Sequence, residues 1–300
     1  MKILLIYSSF HHKNLEGLKL MCNSVNAQLC ISDRIEYLIE DWDIIYVPTD
    51  FIEPEFMPNA KHILYGPHAF LFPKSPWNEY IFDSRCKYLL PSDWTKHYIN
   101  ETGGINLPII TLPFAVNVEK FKPIISNKYL HCIIYFKHRK SEELEFIESI
   151  LKGNSISYRL FDYDKKYKEE DYIQALNECH FAIWLSSTES QGFALEECLS
   201  MNIPILVWNA TSMFHEINSF GKQSYEEYLG KYKLEGTTIP YWDERCGIVF
   251  HEKEEFLPNL QKMIDSYTSF HPRTFVLEQL SPKICMERLL LKLGNTNINL

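Results

Sequence analysis

The run from Glu189 to Val207, ESQGFALEECLSMNIPILV, leaves its chain little freedom in how to fold. Before it stands a short apolar run, Phe181 to Leu185, with the length and content of a buried strand. A loop closes at Gly192, a helix follows, and a second buried strand runs from Ile203 to Trp208. Asn202 tolerates the left-handed conformation after a last turn and Pro204 cannot continue a helix, so the stop is signalled twice. On that helix Ala194, Leu195, Cys198, Leu199 and Met201 share one side at about 100° per residue. Glu197 falls on the flank of this stripe and Glu196 nearly opposite it. One strand edge, one helix start and two carboxylates, Glu189 and Glu197, therefore converge.

That geometry suits a phosphorylated, hydroxyl-rich ligand. A helix start behind a glycine offers N–H groups and a partial positive charge to an anion. Carboxylates beside it accept hydrogen bonds from sugar hydroxyls, and such charge-assisted bonds are stronger than neutral ones. Taken alone, Glu189 is also readable as an N-terminal cap and Glu197 as a solvated helix residue.

The same alternation fills the chain. Ile3–Tyr7, Gln28–Ile31, Asp43–Pro48, His62–Tyr65 and Lys87–Leu90 are apolar strand segments, with helices around Leu15–Ser24 and Trp94–Glu101, the latter capped by Ser92 and stopped by Gly103 and Gly104. Pro108–Pro123 changes character to a strand and Pro-bounded coil, a linker signal. The pattern then restarts: strand Leu130–Phe136, helix Glu142–Lys152, strand Ser157–Phe161, helix Glu170–Cys179, and the run described first. Beyond Trp208 come an irregular stretch from Ala210 to Gly236, a helix from Glu252 to Tyr267 and an amphipathic helix from Ser281 to Leu293. Alternating strands and helices predict mostly parallel sheets covered on both faces, giving an α/β fold of two Rossmann-like halves with ligands at the carboxyl ends of the strands.

Glu189, Gln191-Gly192-Phe193 and Glu197 resemble, in type and spacing, the signature of the group 1 (family four) nucleotide-sugar-dependent glycosyltransferases. Pro113, Val116, Asn117, Phe121 and Pro123 resemble the segment that closes that family's first domain, and LLPSDWTKHYINETGG the segment before it. The resemblance implies a GT-B arrangement, two Rossmann-like domains facing across a cleft. Residues 1–123 would form the acceptor-side domain, 124–275 the donor-side domain, and 276–300 a C-terminal helix crossing back to the first domain. It further implies that Glu189 contacts the transferred sugar, that Gln191, Gly192, Phe193 and Ala194 meet the sugar and diphosphate through their amides, and that Glu197 binds the ribose.

Lys137 and Arg139 follow a strand of the second half, where a diphosphate would lie. Arg supplies a fork and Lys a point charge for a departing nucleotide. The family has an Arg and a Lys after this strand, usually as Gly-Arg with the Lys a turn later. Here the Gly is missing and the spacing compressed, so Lys137 and Arg139 are the candidates, with Lys140 beside them. A solvated charge run is the alternative. His68, after a strand of the first half, matches a family histidine that contacts the sugar, although a lone His also serves as a structural hydrogen-bonder. Ser8, Ser9, His11 and His12 occupy the acceptor and phosphate loop, where relatives carry Gly-Gly. Of the acidic position that relatives have after the Trp208 strand, only Glu216 remains. Asp162-Tyr163-Asp164 has the form of a metal motif but sits in a turn, as surface acid. Trp242-Asp243-Glu244-Arg245 is either a structural network or a substrate contact.

Cation character at the sugar carbon and charge on the leaving diphosphate are the demands of glycosyl transfer, and fixed positive groups answer the second. Metal-independent transfer from a nucleoside diphosphate sugar, without a bound cofactor, is the expectation, and the family implies retention at the anomeric carbon. The alternatives are a non-catalytic nucleotide-sugar-binding or assembly protein, and a sugar-nucleotide epimerase or phosphorylase of the same fold. A formal net charge of -9, from 30 basic and 39 acidic residues, argues against general nucleic-acid binding. No run of 18 apolar residues occurs, and the N-terminal apolar run is too short for a secretory signal. Eight dispersed cysteines without a C-x-x-C pair suit a reducing compartment, so the sequons at Asn100 and Asn209 are chance matches and the expected setting is cytoplasmic, with peripheral membrane attachment left open.

Overall fold

A computed structural model describes residues 1–33, 40–67, 83–102, 107–212 and 235–294. The chain has a Rossmann-like α/β fold in two compact units. The first is Met1–Asn117 together with the segment from Gln279 onward, and the second is Val118–Glu278.

In the first unit, β1 (Lys2–Ile6), β2 (Gln28–Ser32), β3 (Trp42–Val47), β4 (Ala60–Tyr65), β5 (Cys86–Leu90) and β6 (Ile109–Thr111) form one sheet in the order β2-β1-β3-β4-β5-β6. Every pairing is parallel. Near-continuous burial along β1, β3 and β5 is what a sheet covered on both faces requires. Helix α1 (His12–Ser24) buries Leu18, Met21 and Cys22, and α2 (Asp93–Thr102) starts where Thr95 Oγ1 donates back to the Ser92 carbonyl at 2.6 Å. Pro108–Pro123 is not a solvated connector: Leu112, Phe114, Ala115, Val116, Val118 and Phe121 are all buried.

In the second unit, β7 (Leu130–Lys137), β8 (Tyr158–Asp162), β9 (Cys179–Ser186), β10 (Ile205–Trp208) and β11 (Gly247–Phe250) form a second parallel sheet, ordered β11-β10-β9-β7-β8. One face packs Cys132, Ile134, Phe181, Ile183 and Leu206 against Ile147 and Leu151 of α3 (Ser141–Gly153) and Phe256, Leu260 and Met263 of α6 (Phe256–Ser266). The opposite face carries a Tyr135–Trp184 stack across β7 and β9, centroids 4.1 Å apart and 6° from parallel, with Tyr172 of α4 (Glu169–Glu178) beside it. Helix α5 (Phe193–Ser200) links β9 to β10. The helix expected over Glu252–Tyr267 is broken into a 3-10 turn at Lys253–Glu255, α6, and a second 3-10 turn at Tyr267–Ser269. Helix α7 (Pro272–Gln279), which sequence periodicity had not marked, precedes α8 (Pro282–Lys292). Helix α8 belongs to the first unit, where it packs on α1 and Lys292 Nζ donates to Thr111 Oγ1 at 3.1 Å.

Among the described residues no helix is long and apolar enough to cross a membrane. All eight cysteines are free thiols, seven of them buried.

Candidate functional site

In the second sheet the chain runs from β7 outward to β8, then returns to the other side of β7 and continues through β9, β10 and β11. The strand order therefore reverses between β7 and β9. In open parallel sheets the crevice at such a reversal, beyond the carboxyl ends of the strands, is where ligands bind. Lys137 is the last residue of β7 and pairs in register with Ser186, the last of β9, so Glu189 emerges three residues later beside it. The ammonium of Lys137 donates to both carboxylate oxygens of Glu189, at 2.9 and 2.8 Å, and both side chains are mostly buried. The Glu189 N–H donates to the Thr237 carbonyl at 2.9 Å, which ties the loop from behind.

Three residues on, Gly192 caps α5 with φ 86° and ψ 50°, a left-handed conformation that an L side chain resists. Gly192, Phe193 and Ala194 remain partly accessible at the helix start, whereas every residue from Leu195 to Ser200 is buried. Glu197 is only 6% exposed, so it is not a solvated helix residue. Glu196, expected nearly opposite the apolar stripe, is fully buried. Other elements tie the helix down at both ends: Tyr172 Oη donates to the Ala194 carbonyl at 2.8 Å, Ser200 Oγ to the Phe121 carbonyl at 2.6 Å, and Arg273 to the carbonyls of Phe121 and Ser200.

Arg139 is occupied elsewhere than the sequence pattern implied. Its side chain is 2% exposed and its guanidinium forks onto Glu143, with Nε and Nη2 each 2.8 Å from a carboxylate oxygen. Nη1 donates to the carbonyls of Ser186 and Trp208 at 3.3 and 3.2 Å. With its donors taken inside the fold, Arg139 braces the ends of β9 and β10 rather than facing an anion. Lys140 is exposed and precedes α3.

Two neighbours of Lys137 escaped the sequence reading. Tyr163, in the turn after β8, presents its ring 4.8 Å from the Lys137 ammonium, and His138 meets the same ring edge-on at 5.3 Å. The Asp162-Tyr163-Asp164 turn thus lies at the site, not on a remote surface; Asp162 pairs with Lys165 and Asp164 with His138. Asn209 and Thr238 were also missed. Thr238 Oγ1 donates to the Ser186 and Ser187 carbonyls at 3.1 and 3.2 Å, and Asn209 Oδ1 accepts from Thr237 and Thr238. No local pattern marks these residues, because the segment that carries them returns from elsewhere in the chain.

No protein-family model and no curated protein matches the sequence. Among solved structures, the chain is similar to UDP-GlcNAc 2-epimerase from Neisseria meningitidis bound to UDP-GlcNAc, at 10% identity and a TM-score of 0.43, over 99% of this chain and 100% of that one. It is also similar to NAD+-bound 3-phosphoglycerate dehydrogenase of Entamoeba histolytica, at 9% identity and a TM-score of 0.25, over 99% and 97% of the two chains. The apo D-lactate dehydrogenase of Escherichia coli follows at 12% and 0.24, over 100% and 99%.

The first unit has its own reversal, between β1 and β3. Ser8 lies just beyond β1, but its N–H and hydroxyl both donate to the Asp50 carboxylate, each at 3.0 Å. Thr49 Oγ1 donates to the Ser9 carbonyl at 2.6 Å. A carboxylate thus stands where a phosphate loop would hold its anion. His11 and His12 are exposed at the start of α1, with ring centroids 4.7 Å apart. His68 and Glu216 lie outside the described residues. Trp242–Arg245 is a network: Arg245 forks onto Asp243, holding that carboxyl below the usual carboxylate range, and pairs with Glu278 at 2.6 Å. Among the described residues no three His, Cys, Asp or Glu side chains group as metal ligands.

Proposed function

We propose that the protein is a nucleotide-sugar-dependent glycosyltransferase whose donor site is the β7–β9 reversal of the second unit. The observation that supports this most is the Lys137–Glu189 pair beside the left-handed Gly192 start of α5. A nucleoside diphosphate would take the Lys137 ammonium and the positive end of the α5 dipole, and Glu189, relieved of its cation, would accept hydrogen bonds from the sugar hydroxyls. As the glycosyl–phosphate bond breaks and the acceptor oxygen bonds to the sugar carbon, Lys137 opposes the charge that gathers on the departing diphosphate. Glu197 is the proposed ribose partner, and Gln191, Phe193 and Ala194 border the phosphates. The proposed transfer is metal-independent and retaining, with the Ser8–His12 loop and His68 on the acceptor side.

The test is thermal denaturation with UDP, GDP, ADP and their sugars. A nucleotide at a hundred times its Kd stabilises a folded protein by about 2.7 kcal/mol, a shift of several degrees. One nucleotide class should raise the melting temperature of the wild type and fail to do so for Glu197→Ala. No shift with any of them removes the reading. The occupied Ser8 loop favours one second reading, a non-catalytic nucleotide-sugar binder; binding without nucleotide release across an acceptor panel would select it.

A further inference from the structure

Glu196 has no place in the scheme above, and its surroundings are those of an acid rather than a carboxylate. It is fully buried in the middle of α5, among side chains that leave no path to solvent. One of its oxygens, Oε2, accepts from Gln191 Nε2 at 2.9 Å, and the other, Oε1, has no hydrogen-bond partner among the described residues. A buried carboxylate ordinarily gathers two or three N–H donors or a cation, and loses several kcal/mol without them. Glu196 has a single neutral donor. The nearest charged groups on its own loop and helix are Glu189 and Glu197, both of which oppose a further negative charge. On neighbouring elements, the Tyr172 hydroxyl of α4 donates to the Ala194 carbonyl and the Lys137 ammonium of β7 donates to Glu189. Burial, above all, outweighs the opposing Gln191 hydrogen bond and, with these two carboxylates adding to it, pushes the Glu196 carboxyl well above the usual range.

The partner of Glu196 matters because of where it sits. Gln191 is 3% exposed and lies between Glu189, which holds Lys137, and Gly192, which starts α5. We infer that Glu196 positions the Glu189–Gly192 loop through the side-chain amide of Gln191, and that it does so as a neutral carboxylic acid. Ionised, it would place a third negative charge beside Glu189 and Glu197 at a place proposed to receive a diphosphate. Neutral, it fixes the loop at no electrostatic cost to an anion. The functional half of this inference rests on the proposed donor site; the protonation half does not.

Three measurements test it on the whole protein. The infrared spectrum of the wild type at pH 7 should contain the carbonyl stretch of a buried neutral carboxylic acid that Glu196→Gln lacks; if the two spectra agree in that region, Glu196 is ionised and the inference falls. This reading needs no ligand, so it stands or falls apart from the glycosyltransferase proposal. UDP affinity supplies the second: Glu196→Ala should weaken binding at least tenfold, and Glu196→Gln, which keeps shape and neutrality, should rescue it. Equal weakening in both variants, or none in either, overturns the positioning role. Should Glu196→Ala not fold, Glu196→Gln and the wild type still decide through their melting temperatures. A carboxyl whose folded pKa is raised stabilises fully below its unfolded value near 4.5 and loses that contribution as pH rises toward the folded value. The Gln variant should therefore gain on the wild type as pH rises above the unfolded value, and a constant difference overturns the neutral acid.

Discussion

Lys137 and Arg139 are two residues apart, both cationic, and placed by β7 at the same strand end, yet they have different work. Lys137 meets Glu189 at a partly accessible edge, whereas Arg139 is sealed under the ends of β9 and β10. Replacing Lys137 by Ala is expected to lower the turnover of the proposed transfer by at least about tenfold, as loss of one charge-stabilising donor does, and, because it strands the mostly buried Glu189 carboxylate, to lower the urea midpoint as well. Replacing Arg139 by Ala strands the Glu143 carboxylate and two buried carbonyls, and should cost about 3–5 kcal/mol in urea unfolding. Turnover unchanged in the Lys137 variant, or lost in the Arg139 variant without loss of stability, would move the proposed anion site. The sequence pattern could not separate the two, because compressed spacing after a strand says nothing of which side chain turns inward.

At the scale of elements, the starts of α5 and β11 depend on glycine for different reasons. Gly192 has a left-handed φ but open surroundings, its nearest neighbour to an added Cβ being Glu189 Cβ at 3.4 Å. Gly247 has φ 141°, and a Cβ there would lie 2.1 Å from the Ile205 carbonyl oxygen across the β10–β11 pairing. Gly192→Ala should cost about 1–2 kcal/mol, the penalty of a left-handed alanine, and reduce affinity at the proposed nucleotide site through the loop it ends. Gly247→Ala should destabilise by more, since the strand must move off β10 to admit the methyl group. Equal urea midpoints for the two variants would contradict this ordering.

At the scale of the molecule, the first unit closes only when the chain comes back to it. Helix α8 packs on α1 and buries Cys285, Met286, Leu289 and Leu290, and Lys292 reaches Thr111. Burying a Leu or Met side chain stabilises by about 1.5–3 kcal/mol, so a chain cut before Gln279 should lose several kcal/mol. Hydrogen exchange would read it residue by residue: protection should fall in β1, α1 and β3 and persist in β7, β9 and β10. Uniform loss across both sheets would mean that the two units do not unfold separately.

Much of this was legible in the order of residues alone. Strands, helices and stops follow from period and punctuation, which are local: the apolar runs of β7 and β9, Gly192 before α5, Asn202 and Pro204 after it. The Rossmann-like pattern followed from their alternation, and the candidate loop from Glu189 to Glu197 from spacing within one segment. What lay beyond the sequence was pairing. Lys137 and Glu189 meet because β9, not β8, returns to that side of β7; Tyr163, Asn209 and Thr238 join them from other segments. Glu196 is buried although the helix's own periodicity leaves that position polar, and its Oε2 is met by Gln191 from the loop before the helix. Hydrophobic period records what a segment prefers, whereas the covering of a face depends on surfaces far away in the chain, and only the tertiary structure decides which surfaces those are.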